Sequence, residues 1–397
     1  MADFLFSQLK EKYEEFHEPV AVIYINDKQV DSEESGLIVR KAEVELVSGF
    51  EAAIAEITLS GAYDKKVKVF NTDKIKNYIL LGSRIAISLG YGGVVREVFR
   101  GFIARVHFVV GYDTPAIVLT CMDVKGNLMA DRHSRRLKAR YYSDAVKEIL
   151  DQNPFFTAKD DNGKNFIIYN SDNTPDKPGG DENGGGAGGA GGAAGGGEKK
   201  TDDVRIEMVE ESDYEFIVKA ARKFNFEFFS VGRDLYFCEA KKKEDILIEL
   251  SFGIGLTRLD VGYDITGLVR EVEVRNVDSD QGDYVGKSKK LNSNISMGNK
   301  AKPLVDSQTY VYIDPTVRNK EEAEYRANYL SSMMDYRLGS LRAAGPGLPE
   351  LIPGRFMKIK EMGKPVENTF YLTRVRHIFT LSSFSTEIEG CANKIEK

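Results

Sequence analysis

Tryptophan is absent, cysteine is limited to three residues, and no apolar run is long. Without tryptophan the chain lacks the aromatic side chain best suited to exposed sugar-binding loops, which disfavours a carbohydrate-binding β protein. Cys121, Cys238 and Cys391 are odd in number, far apart and without CxxC spacing. They form neither a disulfide framework nor a cysteine-rich zinc site, and read as small buried hydrophobes. No stretch approaches the roughly 18 consecutive apolar residues of a membrane helix, which argues against direct membrane insertion. The start of the chain carries Asp3 and has no long uncharged stretch before Glu11, so it does not read as a signal peptide. Cytoplasmic synthesis and assembly are therefore expected. An excess of positive charge is missing too. The 55 Lys and Arg are scattered among 61 Asp and Glu, for a net charge of −6, and nucleic acid is not expected as a partner.

Reactive constellations are equally scarce. His17, His107, His133 and His377 are isolated, with neither HxxxH nor HxH spacing, so no metal site or histidine-assisted nucleophile has local support. The segment Gly282-Asp283-Tyr284-Val285-Gly286-Lys287-Ser288 is one residue short of a phosphate-binding loop. Asp278 to Asp283 resembles the start of a calcium loop, but Lys289 stands where a bidentate glutamate is needed, so it reads as a polar turn. Paired acids such as Glu210-Glu211 occur in solvated, helix-capping contexts. No catalytic, cofactor-binding or metal-binding residue is assigned, and no cofactor is expected.

What the sequence does contain is β structure in two blocks. At 397 residues the chain is long enough for about two to four domains. Val20 to Ile25, Ala53 to Ser60, Ile85 to Leu89, Phe99 to Val110 and Ala116 to Met122 are β-branched or alternating runs separated by turn residues. Residues 1–130 are thus expected to form a first β domain, with an N-terminal helix as an option. Residues 131–245 read as a small α+β domain. Ser143 is expected to cap a helix over 143–150, and Ser212-Asp213-Tyr214-Glu215 is a capping box opening another. Phe226 to Ser230 and Leu235 to Cys238 form a hairpin pattern. A glycine-rich segment at 174–200, with twelve glycines between Gly179 and Gly197, interrupts this domain. Such a segment has little side-chain area to offset an ordering cost of about 1–2 kcal/mol per residue. It reads either as a tether or as a tolerated loop expansion, and is expected to be mobile and dispensable for assembly. Residues 246–397 return to β structure around a helix at 319–338, with 246–265 free to pack with the first domain. This order disfavours a doubly wound nucleotide-binding fold.

The two β blocks resemble each other. Gly101 to Phe108 can be laid on Phe370 to His377, bringing Arg105 onto Arg374. Arg84 lies 21 residues before Arg105 and Arg355 lies 19 before Arg374; Cys121 and Cys391 follow by 16 and 17. In both copies a strand alternates, with Arg105 and His107 on one face in the first and Arg374 and Arg376 in the second. Such a cationic row is either a solvated sheet face or one that meets a partner subunit or lines a polar channel.

The segments Phe99-Arg100-Gly101-Phe102-Ile103, Asp131 to Leu137, Tyr142 to Val146 and Glu211 to Ile217 carry a family likeness. So do Val272 to Asn276, Gly347 to Gly354 and Tyr371 to His377. In this order they resemble the phage late control gene D proteins, central hubs of contractile tails, and the N-terminal hub portion of the VgrG proteins of type VI secretion. The resemblance implies an α+β, mainly β fold, with two similar tube-like antiparallel β-barrel domains and a small α+β domain between them. It implies a homotrimer adapting a hexameric tail tube to a trimeric spike within a phage tail or contractile injection particle. Implied partners are the tail tube or a tube-initiator ring protein, a spike protein and the baseplate wedge proteins. The glycine-rich insertion departs from the family pattern. No spike domain follows the last strand before Lys397, so the spike is expected to be a separate polypeptide. The competing class is a tail-associated cell-wall hydrolase, for which the sequence shows no acid/base pair in a recognisable context.

Overall fold

Alternation of apolar and charged residues governs the longest strands. Lys41-Ala42-Glu43-Val44-Glu45-Leu46 buries Ala42, Val44 and Leu46 completely, while the charged residues between them face outward. The computed structural model describes residues 2–396 apart from 32, 112–113, 161, 175–205, 279–281, 289–294, 296–299, 316 and 318. The glycine run and the tip of the calcium-loop-like segment lie outside the described residues.

In the first third, a short helix α1 (Phe6–Lys12) precedes strands β1 (Pro19–Ile25), β2 (Ile38–Val47), β3 (Ile54–Ser60), β4 (Arg84–Tyr91), β5 (Val94–Val109) and β6 (Ala116–Met122). The middle contains α2 (Tyr142–Leu150), α3 (Asp213–Phe224), β7 (Phe226–Val231) and β8 (Asp234–Glu239). Then come β9 (Ile246–Phe252), β10 (Arg258–Tyr263), β11 (Glu271–Asp278), β12 (Gly282–Lys287), β13 (Thr309–Ile313) and α4 (Lys320–Asp335). The chain closes with β14 (Gly339–Pro346), β15 (Phe356–Ile359), β16 (Thr369–Thr380) and β17 (Ser383–Ala392).

Both β blocks belong to one large sheet. Eight of its strands run in an antiparallel row, β10-β14-β17-β16-β2-β3-β6-β5, whose halves have the same connectivity. In each half two hairpins interlock, so that the second strand of one pairs with the second strand of the other. Each half then curls: β1 packs against β16 and β17, and the bridge at Gly255–Leu256 packs against β14. One continuous hydrophobic core spans both halves, from Ile23, Ile57 and Leu119 to Leu341, Leu372 and Val375. The fold is mainly β and antiparallel, as the sequence implies.

The repeat extends to individual hydrogen bonds. Gly82 and Gly354 adopt φ of +80° and +79°, a region that glycine enters without steric cost. Their amides donate to the carbonyls of Ile103 and Leu372, both at 2.9 Å. Ile103 and Leu372 donate back to Ser83 and Arg355 at 2.9 and 2.8 Å. One step later both strands carry a bulge, at Ala104 in β5 and Thr373 in β16. Arg105 and Arg374 therefore occupy equivalent register positions. The other landmarks shift by one residue: Arg84, opposite Phe102, matches Phe356, opposite Tyr371, and Cys121 matches Gly390.

The middle α+β layer has its own core, built on Ala145, Ile149, Phe216, Ala220, Phe228 and Phe237. The capping box is formed: Ser212 Oγ accepts from the Glu215 amide at 3.0 Å and Glu215 Oε2 accepts from the Ser212 amide at 2.9 Å. Ser143 does not cap its helix. The helix begins at Tyr142, and the Ser143 amide donates to Thr174 Oγ1 at 3.0 Å, so a distant segment satisfies this first-turn donor. Helix α4 packs on a separate three-stranded sheet, β12-β11-β13, inserted between β10 and β14. The phosphate-loop-like segment is β12 itself, its backbone paired with β11.

A fully buried lysine fastens the α+β layer to the large sheet. Lys125 Nζ donates to the carbonyl of Glu51 and to that of Phe228, the latter at 3.3 Å, and lies 3.7 Å from Asp123 Oδ2. Asp123 Oδ2 accepts from the Ala53 amide at 3.0 Å and from Ser230 Oγ at 2.5 Å. Burial pulls the Lys125 ammonium below its ordinary value, and Asp123 offsets part of that shift. Removing one partner of such a buried pair leaves an uncompensated charge. Lys125→Ala is expected to destabilise the protein by about 3–5 kcal/mol, read as a lower urea midpoint; an unchanged midpoint would show that the contact is dispensable.

Candidate assembly face

The bulges at Ala104 and Thr373 decide what the outer sheet face displays. Before the bulge in β16, Phe370 and Leu372 point to the core; after it, Val375 and His377 do. The extra residue switches the phase, and Arg374 and Arg376 emerge on the outer face. The same switch in β5 puts Arg105 and His107 outward, both exposed.

Around β16 this face is a lattice of opposite charges. Arg376 Nε donates to Glu43 Oε1 at 2.7 Å and Nη1 to Glu387 Oε2 at 3.2 Å, joining β2 to β17 through β16. Arg374 pairs with Glu45, with Glu51 Oε2 at 3.2 Å and with Glu389 Oε2 at 3.6 Å. Glu389 also faces Arg342 Nε at 3.9 Å. Partial burial works to raise the Glu43 carboxyl, but hydrogen bonds from Lys41 and Arg376 outweigh it and hold it below its ordinary value. The hydrogen bond that Arg376 donates to Glu43 in turn raises Arg376. A shallow depression of about 540 Å³ lies here, lined by Arg258, Arg342, Arg374, Arg376, Glu45, Glu387 and Glu389.

The structure thus brings Arg374 and Arg376 together with acids on two other strands, β2 and β17, and with Glu51 in the loop after β2. Arg105 and His107 form no ion pair among the described residues. Their row runs Arg105, Thr120, Glu56, Glu43 across four strands, whereas the equivalent row in the second half runs Arg374, Glu389, Arg342, Asp260. The acids of β2 escaped the sequence reading, although the alternation over Lys41 to Leu46 was a usable signal.

Raised acid groups occur away from this face. Burial lifts Asp335 to about 6, and it lifts Glu227, which is enclosed by Tyr371 and Lys241. Neither lines the depression. Among the described residues there is no group of three or more metal-capable side chains, and no helix is long and apolar enough to cross a membrane.

Under the charged face lies His377, fully buried, with Nδ1 3.0 Å from Thr386 Oγ1. Burial lowers it to about 4 from its ordinary 6.5. The folded protein thus keeps this ring neutral where the unfolded chain would protonate it. Its contribution is present above pH 6.5 and is lost as pH falls toward 4, by about 3 kcal/mol in all. Unfolding titrations of the protein and of His377→Gln should diverge over that window, with the steeper loss in the unsubstituted chain. Parallel profiles would refute the assignment.

No family model and no curated relative matches the sequence. Solved structures do match along nearly the whole chain. A tail protein from Neisseria meningitidis MC58 aligns with a TM-score of 0.64 at 12% identity, covering 96% of this chain and 98% of its own. A 43 kDa tail protein of prophage MuSo2 from Shewanella oneidensis gives 0.63 at 9% identity, with 94% and 98% covered. An Escherichia coli type VI secretion component, described as structurally similar to the T4 tail proteins gp27 and gp5, gives 0.55 at 10% identity, with 94% and 77% covered. The chain therefore has the fold found in phage tail proteins and in a component of type VI secretion.

Proposed function

We propose that the chain is a structural hub of a phage tail or contractile injection particle, a homotrimer that adapts a sixfold tail tube to a trimeric spike. The observation that carries this reading is the four-strand unit present twice in one chain, with matching bulges and matching glycine turns. A ring of three such chains offers six comparable surfaces to a sixfold tube. Residues 1–130 and 246–397 supply the two units and 131–245 the layer between them. Arg105 and His107 in the first unit, with Arg374 and Arg376 in the second, belong to one face of that ring. The near-complete overlap with two tail proteins supports the particle role. Tube, spike and baseplate wedge proteins are the partners this role requires. The role is structural rather than catalytic, since the raised acids Asp335 and Glu227 lie apart from the charged depression.

Electron microscopy of particles assembled from the surrounding gene cluster tests this reading, with the chain carrying a gold-reactive tag. The label is expected at the junction of tube and spike, in three copies, and deletion of the gene should stop tube assembly. Normal particles without the chain, or label along the sheath, would overturn the proposal.

A further inference from the structure

The two four-strand units match in hydrogen-bond register but not in what they display. With Arg374 set on Arg105 and the strands taken in order, Arg258, Arg342, Ala344 and Glu387 of the second unit fall on Lys41, Glu56, Thr58 and Val118 of the first. The shallow depression of about 540 Å³ belongs to the second unit and centres on these exchanges. In the outer row Arg258, Ala344, Glu387, Arg376, only Ala344 has a side chain of a single carbon. Neighbouring strands are about 4.8 Å apart, so the backbones that carry Arg258 and Glu387 stand roughly 10 Å from each other across one methyl group. In the first unit Thr58 fills the same place, and Glu56 borders it where the second unit has Arg342.

Pairing leaves one cation over. Glu387 is held by Arg376, Glu45 by Arg374, and Glu389 by Arg374 and, at 3.9 Å, by Arg342. The Arg258 side chain is exposed and makes no hydrogen bond or ion pair among the described residues. Arg258 lies opposite Ala344 on β10, and Arg342 precedes Ala344 by two residues on the same face of β14. Two guanidiniums flanking a gap make a fork for a planar carboxylate. Glu387 and Glu389 line the same depression, and Asp260 lies opposite Arg342. This acidic rim repels a second negative charge and so selects against a polyanion. A shallow site does not enclose a small molecule, which points to a ligand projecting from a larger surface.

We infer that the gap over Ala344 receives one Asp or Glu side chain of a different protein, held between Arg258 and Arg342. Each chain offers this seat once, because Glu56 and Thr58 stand at the matching positions of the first unit. The seat therefore distinguishes two units that are otherwise alike in register. The inference rests on the hub reading only in taking the chain to work within a larger particle.

Zero-length cross-linking tests the seat. Arg258→Lys keeps the charge and supplies a primary amine. A carbodiimide condenses that amine with a carboxylate in contact with it, forming an amide while the reagent takes up the water as a urea. The complex that carries the full-length variant, isolated through a tag on the chain, should yield a link from position 258 to one Asp or Glu of another protein, located by mass spectrometry. Adding Ala344→Thr or Arg342→Glu should cut that link at least fivefold. Both changes copy the first unit, and the unfolding midpoint of the purified chain should stay unchanged. Lys41, at the matching place in the first unit, should give no link to that protein. A link confined to carboxylates of this chain or of another copy, an equal link from Lys41, a link undiminished by the two added changes, or no link would overturn the inference. The result stands apart from the position of the chain in the particle. Gold label away from the tube–spike junction refutes the hub, and the cross-link still decides the seat.

Discussion

Strand β16 changes partners partway along its length, and the rest of the molecule is arranged around that change. Up to Tyr371 it pairs with β15; from Arg374 it pairs with β2; β17 stays on its other side throughout. The bulge at Thr373 marks the change, because an added residue both bends a strand and flips the phase of its side chains. Without it, the run Val375, His377, Phe379 could not enter the core that Phe370 and Leu372 have already joined. The repetition of this device at Ala104 makes the first half a second copy of the same solution, with one edge left open.

The charge lattice on the outer face specifies more than it stabilises. Pairs such as Arg376 with Glu387 are exposed enough to contribute little individually. Their arrangement is nonetheless tied to register. Slipping β2 against β16 by one residue would turn Glu43 and Glu45 toward the core and bring Val44 out. Lys125 acts in the opposite way. Its buried ammonium, held by a carbonyl of the loop between β2 and β3 and by one of β7, fixes the α+β layer at one place, and removing it leaves Asp123 without its counter-charge.

Much of this was legible in the sequence, and the exceptions have physical causes. Local signals worked: the capping box at Ser212, the hairpin after Phe226 and the helix beginning near Asn319 all depend on residues close in the chain. The repeat was legible because β5 and β16 both place an arginine after a bulge. Aligning it by matching Arg84 with Arg355 and Cys121 with Cys391 missed by one residue, since hydrogen-bond register, not residue identity, sets equivalence. The junction of β2 with β16 joins residues more than 300 positions apart, which no local periodicity reports. The sheet inserted between β10 and β14 was hidden for a similar reason, since Thr309 to Ile313 reads as a strand without naming its partner, β11.

The four-strand unit that occurs twice in the chain is the feature on which the proposed threefold hub depends. Cryo-electron microscopy of the purified chain tests this most directly. The expected map is a closed threefold ring in which the six four-strand units superpose. A particle of any other symmetry, or one in which the two units of a chain fail to superpose, would contradict it.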